Sequence, residues 1–336
     1  MPVAVTSRST GARTVALLLL LSVWFLPACA SEPVLDAAVE TESALYSAST
    51  DSDRVGRLLT AVEVNGTGPY RFILDSGANR SALSASLAEL LGLSADAGTT
   101  LQVHGVTGSA AAPSTRIREM RVGDIVLHDQ LVPVLPGTVF ADADGILGID
   151  GLQDARIDVD FVRKKVKIMR SEGRRAPRGY LTVPAKLFDK GLLLVEGRVG
   201  NVPTHIIIDT GAEHTIGNMR LLDALVRSSD EAQPDAFVTG TTPQVARGAT
   251  HATPPVLIGE AMMSNLAVTF SDLYVFRLWN LLDKPALIVG MDALGRTQRF
   301  VVDYARQEFH IKTRPSSYAT MRNCNSGNCG TRIPAR

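Results

Sequence analysis

Gly66-Thr67-Gly68-Pro69-Tyr70-Arg71-Phe72-Ile73-Leu74-Asp75-Ser76-Gly77-Ala78-Asn79-Arg80-Ser81 is matched later in the chain by Gly200-Asn201-Val202-Pro203-Thr204-His205-Ile206-Ile207-Ile208-Asp209-Thr210-Gly211-Ala212-Glu213-His214-Thr215. Gly66 and Gly200, Pro69 and Pro203, Asp75 and Asp209, and Ser81 and Thr215 all stand 134 positions apart. A spacing held constant through the whole stretch marks an internal repeat, and a repeat decides the architecture before any single residue is interpreted.

Both copies continue alike. An apolar-apolar-Gly element follows each, Gly145-Ile146-Leu147-Gly148-Ile149-Asp150 and Ala286-Leu287-Ile288-Val289-Gly290-Met291-Asp292. Each copy then closes, with Ile157-Asp158-Val159-Asp160-Phe161 or Phe300-Val301-Val302-Asp303-Tyr304, a polar turn, and a last apolar strand ending near Ile168 or Ile311. Two homologous lobes are expected at residues 55–170 and 179–313, joined by a charged Gly and Pro linker at 171–178 that is open to nicking. Within the first lobe, Leu58 to Val64 and Tyr70 to Leu74 flank a Gly66-Thr67-Gly68 turn, which puts Asp75 just past a buried strand. Ser84 to Leu91 and Asn218 to Val226 have helical spacing. Long helices alternating with the strands are lacking, so the fold class is all-β.

The chain has 336 residues, 45% hydrophobic and 20% charged, with 34 basic and 34 acidic side chains. That is globular composition, and the zero balance lacks the positive field that sequence-independent nucleic-acid binding needs. At the N-terminus, Arg8 and Arg13 precede an apolar run from Val15 to Leu26, too short to span a bilayer and typical of an export signal at residues 1–28. Residues 29–54 then form a flexible tether and 314–336 a polar tail. Cys324 and Cys329 in that tail either close a small disulfide loop in an oxidising compartment or remain solvated thiols.

An Asp at the end of a strand, followed by Ser or Thr and Gly, is ambiguous alone. Two at equivalent places in duplicated lobes are not, because a pseudo-two-fold axis can bring the carboxylates together. These motifs, with a Ser or Thr six residues after each Asp and the later Ile-Leu-Gly or Ile-Val-Gly, resemble the retropepsin-like aspartic proteases. The resemblance covers residues 58 to 312 and implies a β-barrel-like lobe on each side of a substrate cleft, with both halves of the site in one chain. It implies no metal and no cofactor, a polypeptide substrate, and a monomer, since the dyad is complete in one chain.

By the same resemblance Asp75 and Asp209 are the catalytic dyad, and Ser76 and Thr210 interlock beneath it. Gly77, Gly211, Ala78, Ala212 and Gly105 are substrate-binding positions, the two glycines of the Asp loops taking the peptide backbone at close range. The apolar-Gly elements pack behind the Asp loops. Val103-His104-Gly105-Val106-Thr107-Gly108 and Val238-Thr239-Gly240-Thr241-Thr242-Pro243 occupy the place of flaps, the second made irregular by Pro243, Pro254 and Pro255. Asn79 and Glu213 stand where retroviral members carry a substrate-binding acid, so the halves differ there. Leu26-Pro27-Ala28-Cys29 resembles a bacterial lipobox, implying a lipid-anchored envelope protein with Cys29 at its mature end; Ala28-Cys29-Ala30 also satisfies ordinary signal removal, with secretion as the alternative.

Two carboxylates are what the chemistry asks for: one ionised to take a proton from water, one protonated to donate to the scissile carbonyl. Such a pair shares one proton and favours mildly acidic pH. Other enzyme classes lack their residues. Gly77 and Gly211 stand where an Asp-nucleophile phosphatase needs its second acid, and no Gly-x-Ser-x-Gly elbow or phosphate loop is present. His104, His205, His214 and His251 show no metal-ligand spacing. The rival from another class is a non-catalytic envelope lipoprotein that binds peptide or a protein partner in the cleft.

Overall fold

The computed structural model describes residues 47–49, 56–93, 99–150, 152–189, 191–225 and 235–314, all within one compact unit, Ser43–Arg336. The expected signal at 1–28, Cys29, Cys324 and Cys329 lie outside the described residues. Strand β1 (Ser47–Ser49) falls inside the stretch expected to be a flexible tether, so that part of the stretch is ordered as strand.

The first lobe contains β2 (Leu59–Val64), β3 (Thr67–Leu74), β4 (Ala82–Ser84), helix α1 (Ala85–Leu90), β5 (Thr100–His104), β6 (Ser109–Val122), β7 (Ile125–Leu135) and β8 (Gly145–Leu147). Its strands run in the order β2-β3-β8-β4-β7-β6-β5, and β2 also pairs with β6, so all but β5 close into a barrel. The β2–β3 turn is tighter than the expected Gly66-Thr67-Gly68, because Asn65 and Gly66 both take positive φ (52° and 79°) and β3 starts at Thr67. A two-residue turn of that hand matches the twist of the strands it joins. Ser84 caps α1, its Oγ accepting from the Leu87 amide at 3.1 Å. Phe72, Leu83, Ile117 and Met120 fill the barrel with no exposed surface. Burying side chains of this size contributes ~1.5–3 kcal/mol each.

Next come β9 (Ala155–Asp160) and β10 (Lys165–Arg170); residues 171–178 hold no helix or strand, and β11 (Leu181–Phe188) follows. The second lobe contains β12 (Leu192–Val199), β13 (Val202–Ile208), β14 (Ile216–Gly217), α2 (Met219–Leu225), β15 (Asp235–Val238), β16 (Ala246–Ala252), β17 (Val256–Ile258), β18 (Ala261–Met263), β19 (Ala267–Phe270), α3 (Tyr274–Leu278), β20 (Ala286–Val289) and α4 (Met291–Leu294). Its order β12-β13-β20-β14-β19-β16-β15 repeats that of the first lobe, with closure through β12 and β17. Pro254 and Pro255 fall between β16 and β17, where a ring nitrogen has no proton to give a ladder.

The last strands, β21 (Arg299–Asp303) and β22 (Glu308–Lys312), join a sheet that belongs to both repeats, in the order β1-β10-β9-β21-β22-β11. The expected lobe boundaries run through this shared sheet. Its centre is the antiparallel pairing of β9 with β21, which sets Arg156 opposite Asp303 and Asp160 opposite Arg299. Arg156 Nη1 lies 2.9 Å from the wholly buried Asp303, and Arg299 Nη1 lies 3.7 Å from Asp160 while also gripping Asp158.

Candidate active site

Each Asp loop grows from the end of a central strand. The amide of Asp75, after β3, donates to Leu147 O in β8 at 3.0 Å, and that of Asp209, after β13, donates to Val289 O in β20 at 3.1 Å. Both carboxylates therefore leave their sheets from equivalent points. The loops are bolted together beneath them. Ser76 N donates to Thr210 Oγ1 and Thr210 N to Ser76 Oγ, both at 3.0 Å. Ser76 Oγ in turn donates to Ile208 O at 2.8 Å and Thr210 Oγ1 to Leu74 O at 2.6 Å. This reciprocal grip is buried, and every donor in it is used.

Each Asp-loop glycine has the opposite lobe's acid as its neighbour. A Cβ on Gly77 would run into the carboxylate of Asp209, and one on Gly211 into that of Asp75. The space left by each missing side chain is filled by the opposite lobe's carboxylate, so the two acids can approach closely across the lobes. Each glycine also holds its own loop's Asp, Gly77 N donating to Asp75 Oδ1 and Gly211 N to Asp209 Oδ1, both at 2.9 Å. Ala78 and Ala212, also expected to touch substrate, give their carbonyls to the frame, accepting from Ile149 N at 2.9 Å and Met291 N at 2.8 Å.

The apolar-Gly elements lie behind the Asp loops. A Cβ on Gly148 would meet the backbone of Arg80 at 2.5 Å, and one on Gly290 the backbone of His214 at 2.7 Å. The hydroxyl six residues after each Asp completes the frame. Ser81 Oγ donates to Asp150 at 2.7 Å and Thr215 Oγ1 to Asp292 at 2.6 Å, and the Gly148 and Gly290 amides reach the same hydroxyls at 3.1 and 3.3 Å.

Electrostatically the two halves are unequal. Burial, chiefly, and the charge of Asp75 push Asp209 up from the ordinary carboxylate range to about 8, against amide bonds from Gly211 and Ala212. Burial also raises Asp75, opposed by the Gly77 amide, the Arg57 guanidinium and the Ala78 amide. The two carboxyls lie within reach of each other, and each bears on the other's ionisation. Asp209 is 5% exposed and Asp75 is half-buried. Tyr304, 2% exposed, presents a hydroxyl without a hydrogen-bond partner among the described residues; burial and then both carboxylates push its ionisation up, so it stays neutral.

The hairpin of β5 and β6 reaches the second lobe. Val106 O accepts from Val275 N at 3.2 Å, His104 Nδ1 lies 2.9 Å from Tyr274 Oη, and Gln244 Nε2 donates to Ser109 O at 3.3 Å. Thr107 and Thr242 touch through their hydroxyls at 3.4 Å. Gly105 faces Thr241, whose Oγ1 would lie 2.6 Å from a Cβ there, so the hairpin packs closely on the second lobe's loop. The second candidate flap is also a hairpin, β15 with β16 around loop 239–245.

Asn79 is exposed, and so is Glu213, which pairs with His214 at 3.3 Å. The four histidines go to four separate neighbours: His104 to Tyr274, His205 to Glu196, His214 to Glu213 and His251 to the ring of Phe270. Arg57 and Tyr304 were not reached by sequence reasoning. Arg57 comes into view only through the β2–β3 register, and Tyr304 carries no signal in the sequence. No curated protein matches the chain significantly. Residues 60–150, from β2 through the Asp75 loop to Asp150, match the family model for aspartyl protease, so the first lobe is similar to the retropepsin-like aspartyl proteases.

Proposed function

We propose that the chain is an aspartic endopeptidase that hydrolyses peptide bonds with water activated between Asp75 and Asp209. The observation that carries this reading is the pair of carboxyls set against each other by a reciprocal buried grip of Ser76 and Thr210, where burial raises both acids. A binding module has no use for that arrangement, which strains two acids against each other. In the reaction, water oxygen adds to the scissile carbonyl carbon and its proton passes to the ionised carboxylate. The protonated carboxyl meanwhile gives its proton to the carbonyl oxygen. The tetrahedral diol then breaks its C–N bond as a proton moves to the amine, and the dyad is left with one proton as before. The hairpin of β5 and β6 would lift to admit an extended chain and close over it.

The test is incubation of the full chain with unfolded protein substrates across the acidic and neutral range, with products read by mass spectrometry. Cleavage should fall about 10³-fold or more in both Asp75→Asn and Asp209→Asn. Peptide binding without cleavage by the folded wild type would instead favour the non-catalytic reading. We further propose that the chain is exported to the cell envelope as a monomer, with lipid on Cys29, on the strength of Arg8, Arg13 and the Val15–Leu26 run ahead of Leu26-Pro27-Ala28-Cys29. Cys29→Ser should then release the protein from the membrane fraction.

A further inference from the structure

Two acids in matched loops do not by themselves decide which one carries the shared proton. The grip is reciprocal, the loop amides are equivalent, and each glycine faces the opposite carboxylate. The β2–β3 ladder breaks the symmetry. Leu59 pairs with Ile73, Leu74 N donates to Leu58 O at 2.8 Å, and the next step of the register puts Arg57 opposite Asp75. In the second lobe Leu194 pairs with Ile207, and the same count puts Leu192 opposite Asp209. Leu192 is 1% exposed and apolar, so one carboxylate has a cation across the ladder and the other has a hydrocarbon.

We propose that Arg57 is a positioning residue that makes Asp75 the ionised member of the dyad, the base toward water, and leaves Asp209 as the acid that holds the proton for the carbonyl oxygen. The proposal rests on the protease reading and adds to it the direction of proton traffic. Arg57 is itself held, Nη1 donating to Val139 O at 3.4 Å, which fixes its reach along the first lobe. A guanidinium keeps its charge throughout the range in which carboxyls titrate, so its field on Asp75 is constant. Among the described residues the other titratable groups facing Asp75 are Asp209, from the opposite loop, and Tyr304, from the turn after β21. Tyr304 is neutral and carries no charge to favour either acid, and Asp209 is the partner in the shared proton. Asp150 and Arg80 stand behind the Asp75 loop, with Asp150 bonded to Ser81. Arg57 is therefore the group that distinguishes the two acids by charge.

The experiment compares full-length chains carrying Arg57→Gln or Arg57→Lys in two backgrounds, Asp209→Asn and Asp75→Asn, each with one acid of the pair left. Infrared difference spectra against the double Asp→Asn chain follow that remaining carboxyl through its titration. Arg57→Gln should raise the midpoint of Asp75, Arg57→Lys should restore most of it, and the midpoint of Asp209 should move less. On the intact dyad, Arg57→Gln should carry the acidic limb of kcat/KM to higher pH, with a several-fold loss of rate on that limb and little change near neutrality. An unmoved Asp75 midpoint in a folded Arg57→Gln chain, or equal movement of both acids, overturns the proposal. The titrations read the effect even if the wild type cleaves nothing, so the protease reading can fail separately.

Discussion

The long hairpin of each lobe is built from the same plan with different continuity. In the first lobe β6 and β7 keep one register from Ser114–Pro133 to Val122–Ile125, skipping only the step at Arg118, and one continuous strand serves both as the β5 partner and as the barrel's closing edge. In the second lobe that strand is cut into β16 and β17, and its partner into β18 and β19. The register nevertheless survives the cut: His251 faces Val268, Thr253 N still donates to Leu266 O at 3.1 Å, and Ile258 faces Ala261. Pairing order is thus set by the two ends of the hairpin, and the middle can lose ladder bonds to Pro254 and Pro255 without the lobe changing topology.

Four measurements would break or sharpen the likeness between the halves. The largest effect is expected at the β9–β21 pairs. Arg156→Gln leaves Asp303 buried with its main countercharge gone and should destabilise by about 3–5 kcal/mol in denaturant titration. Arg299→Gln should cost less, because Asp158 and Asp160 are closer to solvent. Equal losses would mean that the wholly buried position of Asp303 confers no special sensitivity. Next, Gly77→Ala and Gly211→Ala each drive a methyl into the opposite carboxylate and should lower kcat about 10²-fold apiece while the fold persists by circular dichroism. A large effect from one and none from the other would show that the dyad relaxes away from symmetry.

A smaller effect follows from the proton on Asp209. Its folded-state pKa of about 8 lies above the unfolded value, so the folded chain keeps a proton that the unfolded chain releases, and stability drains away as pH rises through that interval. Asn cannot titrate. Asp209→Asn should therefore melt within error of wild type at acid pH and about 2–4 °C above it near pH 8, by calorimetry; a constant gap would place the proton elsewhere. The smallest effect is in hydrogen exchange: amides flanking Pro254 and Pro255 should exchange about 10-fold faster than those near Ile117 in the uninterrupted strand. Matched protection would mean that side-chain packing, not the ladder, holds that part of the second lobe.

The paired Asp loops and the repeat were legible because they are local: a strand, an acid and a glycine, written twice at one spacing. The hydroxyls of Ser81 and Thr215 and the irregularity at Pro254 and Pro255 were visible for the same reason. Four features depended on partners far away in sequence and were not visible. Arg57 acquires meaning only once the β2–β3 register, with its bulge between Val62 and Val64, is known. Arg156 and Asp303 meet only because β9 lies against β21. The hold of His104 on Tyr274 spans both lobes. The approach of each Asp-loop glycine to the opposite carboxylate was not legible either, since nothing in either loop says that the other's acid will lie there.

The pairing of β9 with β21 also has a consequence for dilution. A site assembled from two separate identical chains obeys mass action and is lost when the protein becomes scarce. Here the halves meet at an effective concentration fixed by the covalent chain between them. Specific activity should hold constant as the protein is thinned. A change in one half is also not copied into the other, which is the freedom that lets Arg57 face one acid and Leu192 the other.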